Sequence, residues 1–252
     1  ENVKKSNSLV SENRVDMMKY STYYCKMDCK VLYDGWMKFK EWIDEICGLN
    51  TDFYVSLPSL ADAYLKKEGC YDDVYLLGQQ VREFTQLAMV GGRCMTRQNE
   101  KWHVKNMELN DFDAVSLYPS AMRRLGGFVK GKPKVLNSSI ELNQTTTYVV
   151  EIIVTKVGKK LDFPLMSYID DKGNRHFTND MIDRKMVVDK ITLEDLIKFQ
   201  DIEYDIVRGY YWDEGRCEML GDVIQKLFNK RLEEKKKDNP IQEVYKLLMN
   251  SS

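Results

Sequence analysis

The sequence predicts an α+β fold. Three observations carry that expectation: an unbroken helical period over residues 17–47, a change to strand-like spacing near residue 93, and a β-branched run at 146–158 followed by a strand–helix–strand pattern. Helical segments stand at both ends of a mixed middle.

Within 17–47, Val31, Leu32, Trp36, Phe39, Ile43 and Ile46 recur every three or four residues, and Gly48 offers a stop. "SLPSLADAYLKKEG" (56–69) reads as a turn and a short helix, with Pro58 in its first turn and Gly69 as its stop. A second amphipathic segment, 73–89, leads into Val90-Gly91-Gly92. "RCMTR", "KWHVK" and "MELNDFDAV" read as strands between polar turns, and "SAMRRLGG" as a short helix with a glycine stop. "TTYVVEIIVTKVG" reads as a buried strand, and "FPLMSYIDDKGNRHFTN" as a hairpin turning at Asp171-Lys172-Gly173. "MVVDKITLEDLIKFQDIEYDIVRGYYWDEG" predicts strand, helix, strand, with Thr192 and Asp195 as a capping box. Two helices follow, at about 217–237 and 240–252, divided by Asn239 as N-cap and Pro240 as first helical residue. A domain boundary is expected near 50–90.

The 252 residues, 43% hydrophobic and 31% charged, suffice for one large or two modest domains with a real core. Net charge is −1, so overall balance does not point to nucleic acid. Locally, Lys226, Lys230, Arg231, Lys235, Lys236 and Lys237 outnumber Glu233 and Glu234; such a stripe is either an electrostatic footprint or a solvated helix face. Six cysteines are scattered without a CxxC pair, and the two histidines, His103 and His176, read as surface residues, which argues against structural zinc and against a disulfide framework. Reduced thiols are expected, hence an intracellular compartment: nucleus, mitochondrion or viral replication site according to the host. No apolar run approaches the roughly 20 residues of a membrane span, so no membrane partner is expected, and no signal peptide is visible. Trp36, Trp42, Met17 and Met18 read as core or contact residues. The chain starts at Glu1 and stops at Ser252 inside a helical pattern, and is expected to be a piece of something longer.

The densest chemistry lies in "DFDAVSLYPSAM" (111–122). On a strand, Asp111 and Asp113 share a face, and paired carboxylates at a strand end can hold Mg²⁺, which prefers oxygen ligands. Leu117 would enter the core, Tyr118 would close over the metal's neighbour, and Pro119 would lose an N–H where a helix begins. D-x-x-S-L-Y-P-S resembles motif A of family B DNA polymerases. The resemblance implies that Asp113 binds the catalytic Mg²⁺ (or Mn²⁺). It implies that Tyr118 packs under the deoxyribose and excludes a 2′-hydroxyl, and that the backbone around Ser116 and Leu117 faces the triphosphate.

"KLLMNSS" (246–252) resembles the start of motif B. Gln242, Lys246 and Asn250 recur every four residues as a polar stripe on a helix apolar at Ile241, Val244, Leu247 and Leu248. Arg231 and Lys235, also four apart, share a face. The resemblance implies that Lys246 grips the triphosphate, with Arg231, Lys235 and Asn250 as further nucleotide contacts. "YCKMD" resembles the third exonuclease motif, Y-x-x-x-D, which implies a metal ligand at Asp28 and a water-orienting phenol at Tyr24. "AMVGGR" is similar in part to the Y-x-G-G loop that touches template DNA; Met89 replaces the tyrosine, while Gly91 and Gly92 still let backbone approach a phosphate. An ordinary interdomain turn fits that stretch equally.

Lys246 follows Asp113 by 133 positions (246 − 113). The excess over a simple palm, roughly 128–213, is similar to the insertion of protein-primed members, which contacts a terminal protein. The resemblance thus implies an exonuclease-domain C-terminus (ribonuclease H-like, 3′–5′) at 1–50 and a linker and template-contacting region at 51–92. A palm of antiparallel sheet and helices would follow at 93–127, the insertion and palm return at 128–213, and antiparallel finger helices at 214–252. It implies two-metal nucleotidyl transfer on primer–template DNA with dNTP and a terminal protein primer. The D-T-D motif would follow Ser252 and two exonuclease motifs would precede Glu1, so these residues alone are expected neither to polymerise nor to degrade DNA. Asp113 and Lys246 are expected to converge on one triphosphate-sized gap. The alternative is a non-catalytic nucleic-acid-binding module on a degenerate polymerase fold. A stand-alone metal nuclease would need more acids near Asp28.

Overall fold

The computed structural model describes residue 4 and residues 6–11, 14–136 and 142–252. In chain order the elements are β1 (Leu9–Ser11), β2 (Arg14–Val15), α1 (Met17–Cys47), α2 (Leu57–Lys67), α3 (Gln79–Leu87) and α4 (Leu117–Arg124). Then come β3 (Phe128–Val129), β4 (Lys134–Val135), β5 (Thr147–Val157), β6 (Ser167–Ile169), β7 (Arg175–Phe177) and β8 (Lys185–Asp189). The last are α5 (Lys190–Gln200), β9 (Ile202–Trp212), β10 (Arg216–Cys217), α6 (Met219–Lys236) and α7 (Ile241–Ser251). Helices combine with antiparallel strand pairs, which makes the fold α+β. The chain divides into two compact units, Glu1–Glu68 with Asp222–Ser252, and Gly69–Gly221.

In the first unit, α1 starts where the Asp16 carboxylate accepts from the Lys19 N–H at 3.1 Å. It ends at Gly48, whose left-handed backbone (φ 58°) lets its N–H reach the Asp44 carbonyl. The Lys67 ammonium donates to the Cys47 and Gly48 carbonyls at 2.7 and 3.2 Å, placing a cation at the negative end of the helix. Ser56 and Ser59 close a capping box at the start of α2, with Pro58 in the first turn. The core of this unit includes Ile43, Cys47, Leu60, Ala61, Tyr64, Leu65, Ile241, Val244, Leu248 and Met249.

Burial does not follow the apolar spacing on two helices of this unit. The apolar stripe of α1 forms as a helix but stays largely exposed: Val31, Leu32 and Trp36 face outward, and only Ile43 and Cys47 are buried. Its largest described contacts are with α7 and the 3₁₀ turn Thr51–Phe53, and much of its apolar surface stays exposed. On α7, Leu247 is exposed and Met249 is buried instead. At about 100° per residue, Leu247 and Met249 flank the stripe of Ile241, Val244 and Leu248 on opposite sides, so helix rotation does not choose between them and only the packing neighbours do. The α6–α7 junction also shifts by one residue. Pro240 is the N-cap, and the Asn239 carboxamide accepts from the Ile241 N–H at 3.2 Å while donating to Glu234 at 2.7 Å.

The second unit is built on an antiparallel sheet of order β4-β9-β5-β8. β5 is interior, hence its β-branched composition: Tyr148, Val150, Ile152 and Val154 alternate into a core with Met166, Met186, Val188, Leu193 and Leu196. α5 covers that face. Its cap is Asp189, whose carboxylate accepts from the Thr192 N–H at 2.8 Å, not the expected Thr192. β8 runs directly into the helix, so the extended junction residue takes the capping role. On the opposite face, Phe84 of α3 meets Tyr210 edge-on at 5.4 Å, and the Arg208 guanidinium lies over Phe84 while pairing with Glu151 at 3.0 Å.

Gln200 is fully buried and ties α5 to the segment before β6. Its carbonyl oxygen accepts from the Leu165 and Met166 N–H groups at 2.8 and 3.2 Å, and its amide donates to Asn179 at 3.0 Å. The β6–β7 hairpin turns as expected at Gly173 (φ 83°), with the Asp170 carboxylate accepting from the Lys172 and Asn174 N–H groups. After α4, Gly127 (φ 83°) must be glycine, because a Cβ there would run into the Cys217 carbonyl across the β3–β10 ribbon.

The segment from 88 to 116 departs most from expectation. "RCMTR", "KWHVK" and "MELNDFDAV" form no strand; the only regular element there is the 3₁₀ turn Arg97–Asn99. Strand-like composition does not make a strand without a paired edge. No described strand pairs with 107–115, and Met107, Leu109, Phe112 and Val115 remain exposed. The amphipathic stretch expected at 73–89 is helical only over Gln79–Leu87.

Candidate nucleotide and metal sites

In the second unit the expected site residues gather at the start of α4. Ser116 is its N-cap in a left-handed conformation (φ 51°), and the first helical bond runs from the Ser120 N–H to the Ser116 carbonyl at 2.9 Å. Pro119 falls in the first turn, as expected, and is the buried residue of this helix; Leu117, expected in the core, is 55% exposed. A first-turn proline needs no N–H partner and packs inward, which turns its neighbours outward. Tyr118 is exposed, and its hydroxyl lies 3.7 Å from where a Cβ on Gly92 would stand. The fold thus joins the aromatic residue of the 111–122 stretch to the double-glycine loop, although 26 positions separate them (118 − 92).

Asp113 and Asp111 precede this helix on irregular backbone, both exposed. Because 107–115 is not a strand, the expected sharing of one strand face does not apply. Mg²⁺ asks for a near-octahedral oxygen shell in which it keeps several waters. Among the described residues no group of three or more His, Cys, Asp or Glu is placed to hold a metal ion. Asp113 therefore fits such an ion as one ligand of a set that the described residues do not complete.

Around Gly91 and Gly92 the second unit forms an open cleft of about 460 Å³, lined also by Asn99, Arg175, His176 and Phe177. Arg175 holds it together: its guanidinium donates to Ser167 Oγ at 2.8 Å and to the Leu87 and Met89 carbonyls at 3.0 and 3.1 Å. Arg93 donates to the Pro164 carbonyl and lies over the Phe177 ring at 4.9 Å. Partial burial pulls both guanidinium pKa values down, without neutralising an arginine. His176 sits on the exposed hairpin with Nε2 2.8 Å from Asp170. That bond, ahead of the Asn174 N–H, pushes the Asp170 carboxyl down to about 2. Sequence reading missed Arg93 and Arg175 here; the only signal was the Arg-His pair on a predicted hairpin.

In the first unit, Lys246 is exposed on α7, 3.5 Å from Glu243. The Gln242 amide donates to Glu243 at 2.6 Å, and Gln242, Lys246 and Arg231 together hold the Glu243 carboxyl below its ordinary value, the Gln242 bond contributing most. The structure thus gathers Arg231 and Lys246 about one carboxylate, which the sequence reading had not singled out. Lys235 and Asn250 are exposed. On α1, Tyr24 and Asp28 are both exposed one turn apart, and Tyr24 stacks on Tyr20 with ring centroids 6.4 Å apart. All six cysteines are free thiols. No described helix is long and apolar enough to cross a membrane.

The chain resembles known proteins along its whole length. A probable DNA polymerase of Neurospora intermedia is 22% identical over 264 residues, covering 95% of this chain and 25% of that protein. The DNA polymerase of Acidianus bottle-shaped virus (isolate Italy/Pozzuoli) is 30% identical over 154 residues, covering 56% of this chain and 22% of that protein. Among solved structures, Phi29 DNA polymerase in an orthorhombic crystal form superposes with a TM-score of 0.60 at 15% identity, over 94% of this chain and 38% of that one. Phi29 DNA polymerase complexed with primer-template DNA gives 0.54 at 17% identity, over 78% of this chain and 34% of that one. The chain spans about a quarter of the length of the two polymerases it matches in sequence. The family described as DNA polymerase type B, organellar and viral, matches residues 1–252, and this chain belongs to it.

Proposed function

We propose that these residues are the central portion of a protein-primed family B DNA polymerase that extends a primer on template DNA by nucleotidyl transfer. In this reading 1–50 closes an exonuclease domain and 51–92 links it to the palm near template. The palm with its first motif is 93–127, the insertion that meets a terminal protein and the palm return are 128–213, and the fingers are 214–252. The observation that carries the reading is the pairing of an exposed carboxylate at Asp113 with an exposed Tyr118 in the first turn of α4. Solved Phi29 polymerase complexes hold primer-template DNA and incoming nucleotide substrates, which supports the same ligands here.

Asp113 offers a carboxylate to a divalent ion, Mg²⁺ or Mn²⁺. When bound, such ions supply charge neutralisation at the transferred phosphate. Tyr118 presents its ring to the sugar of the incoming nucleotide. Ser116 and Leu117 place their backbone beside the triphosphate. Lys246 offers a mobile point charge to a phosphate, with Arg231, Lys235 and Asn250 around it, and Glu243 holds Lys246 until the anion arrives. Gly91 and Gly92 allow template backbone to approach. Tyr24 and Asp28 belong to a 3′–5′ exonuclease centre, Asp28 as a metal ligand.

Residues 1–252 alone are proposed to be inactive in synthesis and degradation. Mg²⁺-dependent primer extension by this chain would overturn that. In a longer form that also carries the D-T-D motif, Asp113→Ala should abolish nucleotide incorporation. Incorporation at the wild-type rate would overturn the assignment of Asp113.

A further inference from the structure

Cys25 and Cys29 stand four residues apart on α1, and both are exposed free thiols. That spacing puts them one above the other on one helix face. With Ser21, Thr22 and Lys26 they line a single shallow hollow of the helix surface. The Thr22 hydroxyl is turned back onto the helix, donating to the Met18 carbonyl at 2.7 Å, so the two sulfurs are the donors this hollow presents. Tyr24 and Asp28 each precede a cysteine by one position and so lie about 100° around the axis; the thiols belong to a different face from that motif. Helix geometry also says what the pair can do. Its Cβ atoms lie roughly 5–6 Å apart, whereas a disulfide holds them at about 3.5–4.5 Å, so an unbent α1 keeps two separate thiols. Two metal–thiolate bonds of about 2.3 Å placed in line span ~4.6 Å, which sulfurs on neighbouring turns reach by leaning toward each other.

We propose that Cys25 and Cys29 form a two-coordinate clamp for a soft monovalent metal ion, the cuprous ion. Thiolate ligands select Cu(I), zinc and iron–sulfur clusters. Structural zinc and iron–sulfur clusters take four protein ligands. Among the described residues no group of three or more His, Cys, Asp or Glu is placed to hold a metal ion, which leaves the ion that two sulfurs satisfy. On binding, two S–H bonds break, two Cu–S bonds form, two protons pass to solvent, and copper stays in the +1 state. The resulting bis-thiolate centre carries one net negative charge, and the Lys26 ammonium, lining the same hollow, offers the counter-charge. The inference uses neither the nucleotide site nor the polymerase reading.

Anaerobic titration of the full 252-residue chain with Cu(I), in competition with the chromogenic chelator bicinchoninate, tests this. The chain should withdraw one equivalent of Cu(I). Cys25→Ser and Cys29→Ser should each weaken that binding by roughly a hundredfold or more, because either change turns a two-point attachment into a single one. Cys94→Ser, which removes an exposed thiol elsewhere, should leave it unchanged. Protection gives a second readout that needs no variant. With one equivalent bound, iodoacetamide should add one group to the folded chain where the metal-free chain takes three. No withdrawal of Cu(I), affinity unchanged in either Cys25→Ser or Cys29→Ser, a loss in Cys94→Ser, or three groups added in the presence of Cu(I) would each overturn the clamp. Half an equivalent bound with dimer formation would also overturn it, since the ion would then join two chains.

Discussion

The hydroxyl of Tyr118 stands 3.7 Å from the point where a side chain on Gly92 would begin. This is ordinary van der Waals distance. The double-glycine loop and the aromatic residue of α4 therefore form one surface, and the loop leaves space beside the ring without clamping it.

Gly92→Ala should thus leave the unfolding free energy within about 0.5 kcal/mol of wild type. In an active longer form it should leave sugar discrimination intact, whereas Tyr118→Val should lower the deoxy- to ribonucleotide incorporation ratio by roughly tenfold or more. Single-nucleotide incorporation kinetics read both. An unchanged ratio in Tyr118→Val would remove the sugar-facing role.

Gln200 is the polar keystone of the sheet unit, with both ends of its amide bonded and no exposure. Gln200→Leu strands the Leu165 and Met166 N–H groups, while the Asn179 oxygen keeps the Leu161 N–H at 3.0 Å. The expected loss is roughly 2–4 kcal/mol in urea unfolding. A change below 0.5 kcal/mol would show that these groups find other partners.

Thiol reactivity should divide the cysteines in half. Cys25, Cys29 and Cys94 are exposed; Cys47, Cys70 and Cys217 are buried. Burial pushes the Cys47 thiol up to about 12, against a smaller opposing pull from Lys67. At pH 8 only about one in ten thousand of such thiols is ionised. Iodoacetamide at that pH should add three groups to the folded chain and six in urea, read by intact mass. Labelling of Cys47 as fast as Cys25 would contradict the burial of Cys47.

Asp170 should make the β6–β7 hairpin sensitive to acid. Its folded pKa, about 2, lies below the ordinary value near 4. The sign follows: its contribution is complete above pH ~4 and is lost as pH falls through ~2. Amide exchange at Lys172 and Asn174 should quicken over that window. Asp170→Asn should flatten the dependence; a wild-type hairpin with the same exchange profile as that variant would refute the linkage.

Much of the chain is written in short-range code. The 31-residue α1, its Gly48 stop, the Ser56–Pro58 entry to α2, the Gly173 turn and the succession β8–α5–β9 were all legible. Each depends on residues within about one helical turn or one hairpin, so the local backbone preference decides it. The motif residues were legible in the same way, as types at fixed spacing.

Burial and pairing were not. "MELNDFDAV" alternates like a strand yet no described strand pairs with it, and α1 carries an apolar stripe but fully buries only Ile43 and Cys47, in its last turns. Whether a stripe is buried is a property of the neighbour, not of the stripe. Nor could spacing reveal that Arg175 reaches back 86 residues to the Met89 carbonyl, or that Tyr118 meets Gly92. The chain by itself determined its helices, its interior strand β5 and the residue types at 24–28, 111–122 and 246–252, but not every cap or strand. Only the tertiary structure decided which side chains meet, because contacts between distant segments depend on how whole elements pack, and no local preference encodes that.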